Sequence, residues 1–139
     1  MEFESNYMAE IEPENYVKWK KAFEINQNLF FSCIEKMFVA EVGSHAIGFS
    51  YWNIMENHPH VFSIYVKKGF RKNGIGKQLL SFVEDDVQSN SYCEIFASTR
   101  TTNPAKTLFR RNGYDILRDE ADWIFLRKPL TKNAFDTSP

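Results

Sequence analysis

A run of basic residues beside two glycines is the part of this sequence best suited to bind an anion. Residues 67–77 contain no acidic side chain and five basic ones: Lys67, Lys68, Arg71, Lys72 and Lys77. Gly74 and Gly76 fall where a strongly amphipathic helix is predicted to begin. Unpaired amides of a first helical turn attract phosphate, and glycine lets phosphate oxygens approach the backbone. A turn with solvated lysines would give a similar composition, so the spacing of the glycines has to separate the two interpretations.

The spacing of the glycines excludes two common phosphate-binding motifs. A P-loop needs a glycine five positions before Gly76, where this sequence has Arg71, and a Ser or Thr where it has Gln78. A dinucleotide-binding fingerprint needs a third glycine at the position of Leu79. What remains is the pattern Arg71-x-x-Gly74-x-Gly76.

This pattern, placed between a predicted strand and a predicted helix, resembles the Q/R-x-x-G-x-G/A acetyl-CoA signature of the GNAT superfamily of N-acetyltransferases. A second block is similar to the family's later pattern of Asn with a small residue, Leu-Tyr, and Gly-aromatic: Asn103-Pro104-Ala105, Leu108-Phe109 and Asn112-Gly113-Tyr114. The two blocks together are much more specific than either alone. The resemblance covers about residues 36–127, and the first 35 residues match only loosely.

The resemblance implies an α/β fold of the GNAT-like acyl-CoA N-acyltransferase type, with a twisted, mostly antiparallel sheet and flanking helices. It implies that the strands His60–Val66 and Tyr92–Ala97 run parallel and splay apart to admit the pantetheine arm of acetyl-CoA. Backbone groups of Ile64, Tyr65 and Val66 would pair with that arm, and the Asn103 side chain would reach it. Asn103 is also suited to cap a helix that starts beside Pro104, and both roles can hold at once. The pyrophosphate would be held by amides of Arg71, Lys72, Asn73, Gly74, Ile75, Gly76 and Lys77.

Transfer of an acetyl group to an amine needs a base, a donor for the oxyanion, and an acid for the departing thiolate. The Val66 N–H is the expected oxyanion donor. His60 is the candidate base, because histidine ordinarily changes charge near neutral pH, with His58, Glu56 and a relay through water as alternatives. The family commonly has a Tyr acid that lines the cofactor pocket where this sequence has Phe109, which has no proton to give. We therefore expect slower chemistry or another proton donor.

The remaining sequence predicts the elements that position these blocks. Residues 6–11 favour a short strand, Pro13 favours the start of a helix, and residues 29–37 are apolar without deciding between helix and strand. Turn residues at Gly43-Ser44-His45 and at Asn57-His58-Pro59 separate three strands of an antiparallel meander. The predicted elements are the strands Phe38–Val42, Ala46–Met55 and His60–Val66, the helix Gly74–Gln88, the strand Tyr92–Ala97, the helix Pro104–Arg111, and the strands Tyr114–Leu117 and Trp123–Leu126.

Composition limits the class of protein. The 139 residues are 43% hydrophobic and 25% charged, which predicts one folded domain over residues 1–139, with 131–139 as a flexible tail. The sequence has 17 basic and 18 acidic residues and therefore no basic excess, so no nucleic-acid partner is expected. No apolar run approaches the roughly 20 residues of a membrane span, so no membrane partner is expected. Cys33 and Cys93 lack a CxxC spacing, which favours reduced core thiols and a cytoplasmic location.

The function that these observations favour is transfer of acetyl from acetyl-CoA directly to a primary amine of a small molecule or peptide. No metal is expected, since His58-x-His60 has no Cys or acidic partner at ligand spacing. Neither cysteine is expected to be a nucleophile, and a homodimer is one possible assembly. The alternative is a non-catalytic CoA-binding or protein-interaction module on the same fold, suggested by Phe109 and by the absence of an obvious base.

Overall fold

One mixed seven-stranded sheet organises the computed structural model, which describes residue 25 and residues 27–130. The strand expected at residues 6–11, the helix expected from Pro13 and the expected tail at 131–139 lie outside the described residues. The sheet order is β1-β2-β3-β4-β5-β7-β6. The strands are β1 Leu29–Ile34, β2 Met37–Val42, β3 His45–Met55, β4 His58–Val66, β5 Glu94–Arg100, β6 Asp115–Glu120 and β7 Trp123–Pro129; the helices are α1 Ile75–Ser89 and α2 Ala105–Arg111. The predicted α/β class with a largely antiparallel sheet is confirmed.

Strands β1 to β4 form an antiparallel meander. It contains the three predicted strands and gains β1 from the apolar stretch whose type the sequence left open. The turn expected at Asn57-His58-Pro59 lies one residue earlier, at Glu56 and Asn57, and His58 already pairs with Met55. Glu56 and Asn57 both have positive φ (51° and 68°), as a two-residue type I′ hairpin loop requires. Backbone geometry at these two residues, rather than the proline, therefore sets the hairpin.

Helix α1 packs its apolar stripe against one face of the sheet. Leu79, Val83 and Val87 recur every four residues and are fully buried, as the periodicity predicts. Two hydrogen bonds fix the register of the helix on β3: Ser50 Oγ donates to the Leu79 carbonyl at 3.0 Å, and Trp52 Nε1 donates to the Asp86 carboxylate at 2.8 Å. The start of α1 is thereby held against the strands that end at the basic loop.

Tyr114, which lies just before β6, connects α1 with the end of the sheet that β7 and β6 form. It is 1% exposed, and its hydroxyl donates to Glu84 Oε2 at 2.8 Å. Glu84 Oε1 accepts from Lys128 Nζ at 2.9 Å, so the carboxylate on α1 binds both Tyr114 and Lys128 of β7. Burial raises the pKa of Tyr114 well above its ordinary value, and the neighbouring charge of Glu84 and their hydrogen bond add to the rise.

The stabilising contribution of the protonated Tyr114 hydroxyl is expected to be lost in alkali. Because its folded pKa exceeds its unfolded pKa of about 10, its contribution to stability is complete below about pH 10 and is lost as the pH rises further. Urea denaturation of the natural protein and of Tyr114→Phe between pH 8 and 11 checks this. The difference in unfolding free energy should narrow by up to about 1.4 kcal/mol per pH unit above pH 10. Parallel curves for the two proteins would contradict the expectation.

Both cysteines differ from the expectation of core thiols. Cys33 and Cys93 are free thiols, and both are exposed. Cys33 lies on the edge strand β1, and its thiol donates to the Glu35 carbonyl at 3.1 Å, while Cys93 precedes β5. An apolar local sequence predicted burial, but a position at a sheet edge or before a strand leaves one side of the residue uncovered. Among the described residues no helix is long and apolar enough to cross a membrane.

Candidate functional site

A wedge-shaped cleft opens where β4 and β5 separate. The two strands run parallel but pair at only two positions, His60 with Phe96 and Val61 with Ala97. Beyond these pairs β5 follows β7 instead, as the splayed arrangement predicts. The cleft has a volume of about 580 Å³, and its walls come from β4, β5 and the start of α2. It is lined by Phe49, Val61, Phe62, Ser63, Ile64, Tyr65, Ser98, Thr99, Arg100, Asn103, Ala105, Phe109 and Trp123.

The backbone of β4 directs polar groups into this opening. Gly48 faces Val66 across the β3–β4 ladder, and Lys67 N–H donates to the Ile47 carbonyl at 2.7 Å. Gly48 and Val66 are therefore a non-hydrogen-bonded pair, and the N–H and C=O of Val66 point away from β3. Alternation along the ladder gives Ile64 the same orientation. Two of the three residues expected to pair with a pantetheine arm thus direct backbone groups to the open side of β4, and of these the Val66 carbonyl accepts from Arg71 Nε.

The loop between β4 and α1 forms a cradle of backbone amides. Within the part of the chain that the structure describes, no N–H from residue 71 to residue 77 donates a hydrogen bond, and the helical series starts with Gln78 N–H to the Gly74 carbonyl at 3.1 Å. No side chain caps α1, and its first turn carries no acidic residue. Seven unpaired donors, the positive end of the helix dipole and the basic side chains therefore coincide, which is the chemistry expected of a pyrophosphate site.

Two glycines give the cradle its shape, each for a different reason. Gly74 has φ +79°, a left-handed conformation that side chains rarely adopt, and a Cβ there would meet no atom within 4 Å. Gly76 lies on α1 where α2 packs closely against it. A Cβ on Gly76 would be 3.3 Å from the Leu108 side chain on α2. The sequence predicted that these glycines let phosphate oxygens approach the backbone. It did not predict that α2 packs against Gly76.

Arg71 folds back onto the end of β4. Its Nε donates to the Val66 carbonyl at 2.7 Å, and its guanidinium lies 5.6 Å from the centre of the Tyr65 ring. Asn73 Nδ2 donates to the carbonyls of Phe70 and Arg71, which closes the loop from inside. These side chains hold the loop in place and leave the amides free to bind.

Asn103 performs the capping role expected of it. Its Oδ1 accepts from Ala105 N–H at 2.9 Å at the start of α2. Asn103 also lines the cleft, so its expected contact with the cofactor arm stays a prediction.

Phe109 lies in the wall of the cleft and offers no donor there. It is 2% exposed, and its ring centre is 5.0 Å from that of Tyr114. The hydroxyl of Tyr114 is held by Glu84 and is not a substitute for a hydroxyl at position 109.

The candidate bases lie at the closed end of the wedge. His60 does not line the cleft; its ring stacks on Phe96 at 5.4 Å, and its Nδ1 is 3.0 Å from the His58 carbonyl oxygen. If Nδ1 carries the proton, Nε2 keeps the lone pair that a base needs. His58 and Glu56 are exposed, with Glu56 on the hairpin loop. None of these three residues lines the cleft, and the role of His60 stays a prediction. No group of His, Cys, Asp and Glu within the described ranges could hold a metal ion.

Comparison with known families fits the cleft and the cradle. The family model described as "Acetyltransferase (GNAT) domain" matches residues 34–116, which is more than half of the chain. The chain belongs to the GNAT acetyltransferase family. The matched region contains the amide cradle, both cleft strands and α2. No curated protein matches the chain in sequence.

Solved GNAT structures share the fold at low sequence identity. The PaiA N-acetyltransferase from Thermoplasma acidophilum, in complex with coenzyme A, is 20% identical, with 89% of this chain and 78% of that chain covered and a TM-score of 0.62. A GNAT family acetyltransferase from Elizabethkingia anophelis with acetyl-CoA bound is 19% identical, with coverage of 68% and 75% and a TM-score of 0.58. The ribosomal-protein-S18-alanine N-acetyltransferase from Escherichia coli is 15% identical, with coverage of 86% and 92% and a TM-score of 0.59. At these identities the neighbours show the fold alone.

Proposed function

We propose that this GNAT protein transfers the acetyl group of acetyl-CoA to a primary amine of a small molecule or peptide. The observation that carries the proposal is the row of unpaired amides at residues 71–77, which adjoins a cleft whose edge offers further backbone donors and acceptors. An extended arm that ends in a pyrophosphate fits both parts at once. Among the solved neighbours, one is in complex with coenzyme A and another has acetyl-CoA bound.

The proposed reaction is direct transfer in a ternary complex. The amine loses a proton to a base, for which His60 is the candidate, and its nitrogen attacks the carbonyl carbon of the thioester. The Val66 N–H, which points away from β3, donates to the oxyanion that forms. The C–S bond then breaks, its electron pair stays on sulfur, and the thiolate takes up a proton to leave as CoA. Neither exposed cysteine lines the cleft, which agrees with a path that has no acyl-cysteine intermediate.

Thermal unfolding with and without acetyl-CoA tests the cofactor assignment. A ligand at 100 times its Kd adds about 2.7 kcal/mol of stability, which for a domain of this size raises Tm by roughly 10 °C. ATP and NAD serve as controls, because both carry phosphates but neither has a pantetheine arm to fill the wedge. A rise with acetyl-CoA alone is expected. No rise, or an equal rise with ATP, would reduce the cradle to a general anion site and remove the basis of the proposal.

CoA release with a panel of amines separates an enzyme from a non-catalytic module. The enzyme should release CoA in proportion to an added amine that it accepts, and mass spectrometry should find 42 Da added to that amine. A protein that gains stability with acetyl-CoA yet releases no CoA with any amine would instead be a CoA-binding module.

A further inference from the structure

The hydroxyl of one largely buried cleft residue has no partner among the residues that the structure describes. Thr99 lies on β5 two residues beyond the last pair with β4, and it lines the cleft together with Phe109. The residue is 5% exposed. Its Oγ1 makes no hydrogen bond with any described residue. Every fully enclosed side-chain oxygen or nitrogen in the described part of the chain does have a partner, so Thr99 Oγ1 is not fully enclosed, and the cleft is the opening that Thr99 lines.

Other hydroxyls in this protein behave differently. Ser50, the second buried polar residue of the described core, donates from Oγ to the Leu79 carbonyl at 3.0 Å. Thr101, two residues beyond Thr99 and partly exposed, donates to the Ala121 carbonyl at 2.7 Å. Thr99 Oγ1 keeps access to solvent, so water can satisfy it when the cleft is empty, and its proton is not committed to another protein group. The Thr99 hydroxyl is therefore available to a group that is bound in the cleft.

The place of Thr99 indicates which group. The lining of the same cleft contains Phe109, which has no proton to give where the family resemblance implies an acid for the departing thiolate. Tyr114, whose ring packs against that of Phe109, donates its hydroxyl to Glu84. Thr99 thus supplies a hydroxyl to a region of the cleft where the Phe109 side chain supplies none.

We infer that the Thr99 hydroxyl donates a hydrogen bond to the sulfur of the leaving CoA thiolate, in place of a hydroxyl at position 109. The inference rests on the proposed acetyl transfer. When the C–S bond breaks, its electron pair becomes the negative charge on sulfur, and Thr99 Oγ1–H donates to that charge while keeping its proton. The proton that completes the CoA thiol comes from water. A donor of this kind acts on the transition state more than on the bound thioester, so its removal should change kcat more than KM.

Steady-state kinetics of Thr99→Val test the assignment, since valine keeps the shape and removes the hydroxyl. Loss of one donor to a developing anion costs about 10²- to 10³-fold where the acceptor is oxygen, and a sulfur acceptor should give less, about 30-fold in kcat. The KM for acetyl-CoA should stay within about twofold. Thr99→Ser should recover most of the lost rate, and adding Phe109→Tyr to Thr99→Val should also recover rate, because both changes return a hydroxyl to the same wall. Thr101→Val is the matched control outside the cleft.

The outcomes separate the alternatives. An unchanged kcat in Thr99→Val, or a raised KM for acetyl-CoA with unchanged kcat, would overturn the inference, the second because the hydroxyl would then bind the arm in the ground state. Failure of Phe109→Tyr to recover any rate would also contradict it. The acetyl-CoA shift in Tm shows whether each variant is folded and binds the cofactor. If the natural protein itself releases no CoA with any amine, the proposed function fails; if it does and Thr99→Val is unaffected, only this inference fails.

Discussion

Replacing Gly74 by Asp is expected to weaken acetyl-CoA binding about 100-fold and to leave the fold intact. The substitution puts a carboxylate beside the seven unpaired amides where the pyrophosphate is proposed to bind. Like charges 4 Å apart repel by about 1 kcal/mol in water and about 4 kcal/mol at a protein surface, and a 100-fold change in affinity is about 2.7 kcal/mol. Isothermal titration with acetyl-CoA measures the loss.

The structure gives reasons to expect that the Asp variant folds. A Cβ at Gly74 meets no atom within 4 Å, and Asp is among the residues that tolerate positive φ best. A negative charge at the start of α1 also interacts favourably with the helix dipole. Gly74→Asn is the matched control, because it has nearly the same shape and the same backbone preference without the charge.

Charge should separate the two Gly74 variants. Gly74→Asn should lose only a few-fold in affinity, and the excess loss in Gly74→Asp should shrink as ionic strength rises. Equal losses in the two variants would mean that backbone shape, rather than anion binding, makes Gly74 necessary.

Replacing Phe109 by Tyr is expected to raise kcat about tenfold. The change adds a hydroxyl to the wall of the cleft, where the natural side chain is 2% exposed and donates nothing. General acid help is typically worth 10²- to 10⁴-fold, but the gain should be smaller here because the Thr99 hydroxyl is proposed to act on the same thiolate. Turnover at saturating acetyl-CoA measures the effect, and the KM for acetyl-CoA should change little.

A hydroxyl added elsewhere should have no such effect. Phe125→Tyr is the matched control, because Phe125 lies outside the cleft with its ring 4.2 Å from the Arg118 guanidinium carbon. A large loss of turnover in Phe109→Tyr would show that position 109 does not face the leaving group. A loss of stability by about 1–3 kcal/mol would show that the new hydroxyl is buried without a partner instead of reaching the cleft.

Local sequence predicted much of the sheet and the main helix because those elements depend on periodicity. The stripe of Leu79, Val83 and Val87 predicted α1, and it is buried as the spacing requires. The β1 region could not be assigned, since a short apolar stretch fits a helix or a strand and only pairing with β2 decides between them. The hairpin before β4 was placed one residue late, because proline suggested a turn that two residues of positive φ make instead.

For the site, the sequence alone determined the position of the cradle and its chemical character. Glycine spacing, basic charge and a helix start are local properties of residues 67–77, and the structure adds that the amides there are unpaired. The directions in which the groups of the site point were decided by the tertiary structure. The divergence of β4 from β5 opens the wedge, the pairing of Gly48 with Val66 turns the Val66 N–H toward it, and His60 is left at its closed end.

Burial was likewise decided only by the tertiary structure. Cys33 and Cys93 were expected in the core from their apolar neighbours, yet they are exposed, whereas Thr99, which lies two residues beyond the predicted strand Tyr92–Ala97, belongs to β5 and is 5% exposed. The sequence thus determined where a cradle suited to an anion lies, since that depends on residues that are adjacent along it. Which side chains meet the bound group depends on where strands separate and which edges stay uncovered, and these follow from contacts between distant residues.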